Sequence, residues 1–309
     1  MAGTVPSPPA LTPPASVSTA RALAPSRVAL ADLVELTKPR ITMLVSLTAA
    51  VGFVMAESPV DPRGLLAAVL GTALAAAGSA ALNMLLEREV DGRMQRTRAR
   101  PLPAGRLRPA DALLLGGVLT TLGLAELYWL AHPLAAAVAF ATWFSYLFLY
   151  TPLKPRTSLS TLVGAVPGAL PPVIGWAAAR GSLDPGAYVL FAIVFLWQIP
   201  HFLAIAWLYR DDYALGGLPM LPVIDRAGHT TGRQILANSL ALGLVAIVPT
   251  AAGMAGRLYL VGALLLSLLM IACAARLAVR RTTAAARQLF LVSLVYLTGV
   301  CSLLIADRL

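Results

Sequence analysis

The chain has 309 residues, of which 58% are hydrophobic and only 12% are charged, and its formal net charge is +10. Soluble domains are roughly 45–50% apolar and about 25% charged, so this composition excludes an ordinary soluble domain and indicates a membrane protein. The positive charge does not indicate a nucleic-acid-binding protein, because the basic residues lie in short stretches between long apolar runs.

The first 30 residues differ from the rest of the chain. They are rich in proline, alanine, serine and threonine and contain no continuous apolar segment. This composition predicts a flexible tail and argues against a signal peptide. A transit peptide is the alternative, because the tail has arginine and serine and no acidic residue before Asp32. We therefore predict a tail over residues 1–30 and a single transmembrane domain over residues 31–309.

Long apolar segments follow the tail up to the end of the chain. A membrane-spanning helix needs about 20 mainly apolar residues. Several segments of this kind alternate with short polar stretches. The sequence therefore predicts an all-α, polytopic bundle of about nine spans, near residues 41–56, 65–86, 110–131, 133–151, 160–179, 186–208, 235–255, 257–275 and 288–306.

The basic residues are divided unequally between the two sides of this bundle. With nine spans, 20 of the 24 lysines and arginines lie in the N-terminal segment and the even-numbered loops. Lysine and arginine accumulate in cytoplasmic loops. We therefore expect the N-terminus and the even-numbered loops in the cytoplasm, and the C-terminus outside.

Three oxygen-bearing side chains follow one another at the end of the second span. Asn83, Glu87 and Asp91 are four residues apart, so in a helix they share one face. An amide oxygen and two carboxylates suit Mg²⁺, and the arginines that follow suit phosphate oxygens. The alternative interpretation is the basic end of a membrane helix with acidic partners. That alternative explains the arginines but not the alignment of the three oxygen-bearing residues.

A second polar cluster lies in and after the sixth span. Gln198 and His201 interrupt an apolar segment, and Pro200 between them is expected to kink the helix. Ionisable groups at membrane depth usually face a cavity, although a histidine that forms a hydrogen bond inside the bundle is an equally open interpretation. Asp211 and Asp212 follow the span, either as loop charges or as part of the same site as the first cluster.

The fourth loop contributes a shorter basic stretch, from Tyr150 to Thr157. It is either a simple cytoplasmic turn or the source of two further phosphate-binding cations, Lys154 and Arg156.

Several motifs together resemble one protein family. The pattern N-x-x-x-[DE]-x-x-x-D covers residues 83–91, and M-x-R-T-x-x-R-P-L covers residues 94–102. Lys38-Pro-Arg-Ile precedes the first span, and Trp197-Gln-Ile-Pro-His-Phe lies in the sixth. These motifs resemble the UbiA superfamily of intramembrane prenyltransferases and, within it, the protohaem IX farnesyltransferases (haem O synthases). The resemblance extends from about Leu36 to the last span. One departure from the superfamily is Tyr209-x-x-x-Tyr213, where many members have a second D-x-x-x-D.

The resemblance implies a function. Members of this branch transfer the farnesyl group of farnesyl diphosphate to a vinyl group of haem b, which gives haem O, and they require Mg²⁺. The expected location is the plasma (inner) membrane, with the active site on the cytoplasmic side, where the basic loops are expected. A haem A synthase or another oxidase-assembly protein is the candidate partner; no nucleic acid is expected.

The resemblance also suggests roles for individual residues. The expected Mg²⁺ ligands and catalytic residues are Asn83, Glu87 and Asp91, with Asp212 as the candidate for a second ion. The expected diphosphate ligands are Arg96, Arg100, Lys154 and Arg156. The expected haem and prenyl pocket consists of Trp176, Trp197, Gln198, His201, Phe202, Trp207, Tyr209 and Tyr213.

Two other functions stay open. A UbiA-type aromatic or quinone prenyltransferase would share the first motif. A transporter would also have many spans and polar residues at depth. The transporter is less well supported, because the sequence has no clear internal repeat and its polar residues gather at one membrane face.

Overall fold

The computed structural model describes residues 29–56 and 59–309. The predicted N-terminal tail lies outside these residues except for Ala29 and Leu30. The described part is nearly all helical, and its only β-type pairing is an isolated bridge between Ala255 and Arg308. The all-α prediction is therefore confirmed.

The described chain forms sixteen α-helices and two π-helical segments. The α-helices are α1 (Leu30–Leu36), α2 (Pro39–Ala56), α3 (Pro62–Leu86), α4 (Arg88–Arg93), α5 (Pro109–Glu126), α6 (Pro133–Phe144), α7 (Thr151–Leu153), α8 (Ser160–Ala169), α9 (Pro171–Arg180), α10 (Pro185–Leu208), α11 (Arg210–Leu215), α12 (Leu221–Ile224), α13 (His229–Val245), α14 (Val248–Ala251), α15 (Arg257–Arg280) and α16 (Thr283–Ala306). The π-helical segments are Leu127–Ala131 and Ser145–Tyr150.

Nine helical stretches of the described chain are long and apolar enough to cross a membrane. The predicted number of spans is therefore confirmed, and the chain is a multi-pass membrane protein. The seventh and ninth stretches begin about one and a half turns earlier than predicted, at His229 and Thr283. In both, the first turns carry polar residues, so hydropathy alone does not reveal that the helix has already begun.

Prolines act differently in the fifth and sixth spans. The fifth is divided into α8 and α9 at Leu170, directly before Pro171 and Pro172. The sixth, α10, continues from Pro185 to Leu208 with Pro200 inside it. The predicted disturbance at Pro200 therefore does not end the helix.

Glycines allow α3, at whose end the first motif begins, to approach α5 closely. A β-carbon added to Gly78 or Gly123 would collide with the backbone of the facing helix, α5 or α3. Close approach through small residues is a common way to pack membrane helices, which gain no hydrophobic energy from leaving lipid. Because the chain crosses the bundle an even number of times between them, the start of α2, the end of α3, residues 151–155 and α11 meet at the same end of the bundle.

Candidate active site

A cavity of about 200 Å³ opens where these segments meet. Seven of the residues predicted for the site line it: Asn83, Glu87, Asp91, Arg96, Arg100, Lys154 and Tyr213. The structure thus brings the first motif, the arginines after it and the fourth loop together in one place.

A helix break at Glu87 does not disturb the alignment of the motif. The helix α3 ends at Leu86 and α4 begins at Arg88, yet helical hydrogen bonds continue across the junction. Glu87 N–H donates to Asn83 O over 2.9 Å, and Asp91 N–H donates to Glu87 O over 2.8 Å. The four-residue spacing therefore keeps the three side chains on one face, as the sequence predicts.

Each of the three oxygen-bearing side chains faces one cation. The pairs are Lys38 Nζ with Asn83 Oδ1 at 2.9 Å, Lys154 Nζ with Glu87 Oε1 at 2.8 Å, and Arg100 Nη1 with Asp91 Oδ2 at 2.7 Å. Asn83 and Asp91 are each only 1% exposed. Four cations and two carboxylates line the cavity, which leaves a net formal charge of +2.

Burial and charge together shift the pKa values of these groups. Burial alone would raise the pKa of Glu87, but Lys154 and Lys38 outweigh it and hold that pKa below its ordinary value. Burial also lowers the pKa of Lys38 to about 8, although Glu87 opposes this shift. For Lys154, burial would lower the pKa, whereas Tyr150 and Glu87 raise it well above the ordinary value. Glu87 and Lys154 are therefore a charged pair at neutral pH.

Thr151 fixes the orientation of the Asn83 amide. Its hydroxyl accepts a hydrogen bond from Asn83 Nδ2 at 3.1 Å and donates to Tyr146 O at 2.8 Å. With Nδ2 directed to Thr151, Asn83 Oδ1 is directed to Lys38. The π-helical segment Ser145–Tyr150 directly precedes Thr151, so this irregular turn places the hydroxyl beside the motif.

The donor set fits Mg²⁺. An amide oxygen and two carboxylates are hard ligands of the kind that Mg²⁺ takes together with substrate phosphates. Each of these oxygens already lies within 2.9 Å of a cationic nitrogen, so the site is arranged for positive charge. Within residues 29–56 and 59–309, no three His, Cys, Asp or Glu side chains are grouped to hold a metal. An ion here would therefore complete its coordination with Asn83, water and substrate oxygens.

Asp212, the predicted ligand of a second ion, has other partners. Its carboxylate accepts hydrogen bonds from the backbone N–H of Gln95 at 2.6 Å and of Arg96 at 3.3 Å. Asp212 lies in a groove that adjoins the cavity and does not line the cavity itself. Arg96 lines both.

Arg156 does not join the other predicted diphosphate ligands. It is exposed and is absent from the cavity lining, whereas Lys154, two residues earlier, lines the cavity. The chain turns after α7 ends at Leu153. Lys154 at the start of this turn still reaches the cavity, whereas Arg156 is in the solvent.

Most of the predicted haem and prenyl pocket lies elsewhere. Trp176 donates to Asp184 at the start of α10, the opposite end of that helix from the cavity. Trp197 Nε1 donates to Ser293 O at 2.6 Å, and His201 Nδ1 lies 2.7 Å from Ser293 Oγ. These bonds tie α10 to α16, so the two side chains connect helices inside the bundle.

The remaining pocket residues are divided. Gln198 donates to Ala165 O and Val194 O, and the Phe202 ring lies 5.5 Å from that of His201. Trp207 is buried and contacts Arg210. Only Tyr213 lines the cavity, and Tyr209 lines the adjoining groove.

Seven cavity residues were absent from the predicted site, and three of them are polar: Lys38, Tyr146 and Thr151. Lys38 has a left-handed backbone, with φ +47°, and no sequence signal predicts that conformation for a lysine before proline. Lys38 does belong to a motif on which the family resemblance rests, the Lys38-Pro-Arg-Ile sequence before the first span.

Comparison with known proteins decides the family. The model of the UbiA prenyltransferase family matches residues 45–297. A protoheme IX farnesyltransferase from Solibacter usitatus is 47% identical over 287 residues, which cover 90% of this chain and 98% of the relative. Another from Opitutus terrae is 44% identical and covers 92% of this chain and 97% of the relative. The chain belongs to the UbiA prenyltransferase family.

Solved structures share the fold. A digeranylgeranylglyceryl phosphate synthase superposes with a TM-score of 0.76 at 16% identity, covering 90% of this chain and 98% of the other. A UbiA homologue from Archaeoglobus fulgidus bound to GPP and Mg²⁺ superposes with a TM-score of 0.63 at 17% identity, covering 88% and 99%. Family membership makes this chain a prenyltransferase and excludes the transporter alternative.

Proposed function

We propose that this UbiA-family enzyme transfers the farnesyl group of farnesyl diphosphate to a vinyl group of haem b, producing haem O and diphosphate. The observation that carries the proposal is the cavity in which Asn83, Glu87 and Asp91 each face a cation. The choice of farnesyl donor and haem acceptor is supported by the relatives that are 41–47% identical over most of their length.

The carboxylate face would hold Mg²⁺. Asn83 Oδ1, Glu87 and Asp91 are the ligands that this chain supplies, and Thr151 keeps the amide oxygen of Asn83 directed into the cavity. When bound, Mg²⁺ would neutralise charge that develops on the departing diphosphate. The GPP and Mg²⁺ in the Archaeoglobus fulgidus homologue are consistent with this assignment.

The cations then act on the diphosphate. Lys38, Arg96, Arg100 and Lys154 line the cavity and outnumber its carboxylates, so the anion enters a region of positive charge. As the allylic C–O bond breaks, these fixed cations stabilise the negative charge on the leaving oxygen. Arg156 is not part of this set.

Carbon–carbon bond formation follows from that ionisation. The terminal vinyl carbon of haem attacks the allylic carbon as diphosphate leaves, and the cation left beside the porphyrin takes hydroxide from water with release of a proton. Because water would also consume the allylic cation, it must be excluded until the new bond has formed. Val90, Met94, Tyr146 and Leu218 supply apolar and aromatic surface at the cavity wall.

The distribution of basic residues supports a location for the site. The cavity lies among the N-terminal segment and the even-numbered loops, where most lysines and arginines occur. By the positive-inside rule, this end would face the cytoplasm, in the plasma (inner) membrane. The partner that receives the product, a haem A synthase or another oxidase-assembly protein, stays a prediction from the resemblance.

A product assay tests the proposal. Purified protein in detergent is incubated with haem b, farnesyl diphosphate and Mg²⁺, and the haem is analysed by mass spectrometry. The expected result is a mass increase equal to farnesyl plus water that EDTA abolishes. Unmodified haem, together with prenylation of 4-hydroxybenzoate by the same preparation, would overturn the haem assignment in favour of an aromatic acceptor.

A further inference from the structure

Arg96 is enclosed at the edge of the cavity. Its guanidinium carbon lies 5.1 Å from the centre of the Tyr209 ring and 5.8 Å from that of Tyr213. Asp212 Oδ2 lies 4.0 Å from Arg96 Nε on the same side. Two aromatic faces and a carboxylate thus hold a side chain that is still 38% exposed and lines the cavity.

Asp212 also forms hydrogen bonds with the backbone at Arg96 and at the residue before it. Its two carboxylate oxygens accept from Gln95 N–H and Arg96 N–H. A metal ion at Asp212 would therefore have to compete with two backbone donors for the same carboxylate oxygens.

The charge of the cavity favours a single metal ion. A diphosphate ester carries about three negative charges, since the second pKa of a terminal phosphate is about 6. The net charge of +2 on the cavity lining, together with one Mg²⁺ ion, already exceeds that amount. A second Mg²⁺ ion would add positive charge that the two cavity carboxylates, Glu87 and Asp91, do not balance.

We propose that the site binds diphosphate with one Mg²⁺ ion, that Arg96 supplies the charge of a second one, and that Asp212 is a positioning residue for Arg96. This inference rests on the proposed function and specifies how its diphosphate site is built. The tyrosine rings at positions 209 and 213 confine the guanidinium while leaving its donors free for phosphate oxygens.

Metal stoichiometry tests the first part. Mn²⁺ is titrated into the purified full-length protein with saturating inorganic diphosphate, and free Mn²⁺ is followed by electron paramagnetic resonance. We expect one diphosphate-dependent Mn²⁺ per chain, in the wild type and in Asp212→Ala alike. Two ions in the wild type and one in Asp212→Ala would overturn the inference by making Asp212 a metal ligand, and would leave the proposed function intact.

A double-mutant cycle tests the positioning role. We expect Arg96→Gln and Asp212→Ala each to weaken diphosphate binding about tenfold, and the double variant to be no weaker than Arg96→Gln alone. Asp211→Ala is the matched control, because that neighbouring carboxylate is 99% exposed. Losses that multiply in the double variant would overturn the positioning role.

A stability control and one further outcome distinguish failure of this inference from failure of the proposed function. Thermal unfolding of each variant shows whether weaker binding reflects a damaged fold, and the wild-type stoichiometry is decisive without any variant. If the wild type shows no diphosphate-dependent Mn²⁺ binding, the proposed function fails together with the inference.

Discussion

Two polar clusters of this membrane protein differ in what their hydrogen bonds accomplish. In the cavity, Asn83, Glu87 and Asp91 each form a hydrogen bond of 2.7–2.9 Å with a cation, and all of them border open space. Inside the bundle, Trp197 and His201 bond to Ser293 and connect α10 to α16. Both clusters break an apolar pattern in the sequence, and both were candidates for the site.

The difference lies in whether the polar groups border an accessible space. The interior cluster has hydrogen-bond partners on a facing helix, so it stabilises a helix contact and has little capacity left for a ligand. The cavity cluster holds several charges of both signs around an accessible space. A charged substrate that enters this space can therefore bind to them. Polar residues at membrane depth therefore indicate function most strongly where charges of both signs surround open volume.

The largest expected effect is at Asp91. Asp91→Asn keeps the shape of the side chain but removes the charge, so we expect at least about a 10³-fold loss of kcat/KM for farnesyl transfer. The protein should remain folded and inserted, since the amide oxygen can still accept from Arg100, and thermal unfolding in detergent checks this. Glu89→Gln is the matched control, because it removes a carboxylate from the same short helix, α4, where the side chain is 75% exposed. If Asp91→Asn retained activity, the Mg²⁺ assignment at this helix end would be wrong.

A smaller effect is expected at Thr151. Thr151→Val removes the hydroxyl that holds the Asn83 amide, so the amide can rotate and present its NH₂ group to the cavity. We expect the Mg²⁺ concentration that gives half-maximal activity to rise about tenfold, as for other groups that orient metal ligands. Thr151→Ser keeps the hydroxyl and should restore the wild-type value.

Thr298→Val is the control for that experiment, because the Thr298 hydroxyl is exposed and bonds only to carbonyls of its own helix. Equal Mg²⁺ dependence in Thr151→Val, Thr151→Ser and the wild type would remove Thr151 from the site. A loss of stability without a change in Mg²⁺ dependence would make its role purely structural.

The sequence predicted the membrane-spanning helices better than the local geometry and side-chain directions inside the bundle. Apolar runs of sufficient length are nearly sufficient to define membrane helices, so all nine spans were found. The alignment of Asn83, Glu87 and Asp91 also followed from helical periodicity alone, even though α3 ends at Leu86.

What the sequence did not predict depends on local geometry or on the direction of side chains. Lys38 reaches the site through a left-handed backbone, and Thr151 through a π-helical turn, neither of which has a periodic signature. The aromatic pocket was inferred from residue type, and residue type cannot tell a ring that lines a cavity from one that packs between helices. Trp197 is of the second kind.

The smallest expected effect is at Ser293, and it tests whether the interior cluster takes part in catalysis. Ser293→Ala removes the hydroxyl that bonds His201 but keeps the backbone carbonyl that accepts from Trp197. We expect the bundle to lose about 1 kcal/mol of stability, since hydrogen bonds between membrane helices contribute about that amount or less. The KM values for farnesyl diphosphate and haem b should stay within about twofold of the wild type, a change worth under about 0.5 kcal/mol.

Ser302→Ala, on the same helix but exposed, is the control that should change neither stability nor kinetics. A selective rise in the KM for haem b in Ser293→Ala, at unchanged stability, would contradict the purely structural role of the interior cluster. That result would place His201 against the haem, as the resemblance first suggested, and the interior cluster would then be the acceptor side of the same active site. An effect on stability alone would confine catalysis to the cavity end of the bundle, because the hydrogen bonds of α10 would then act only on helix packing.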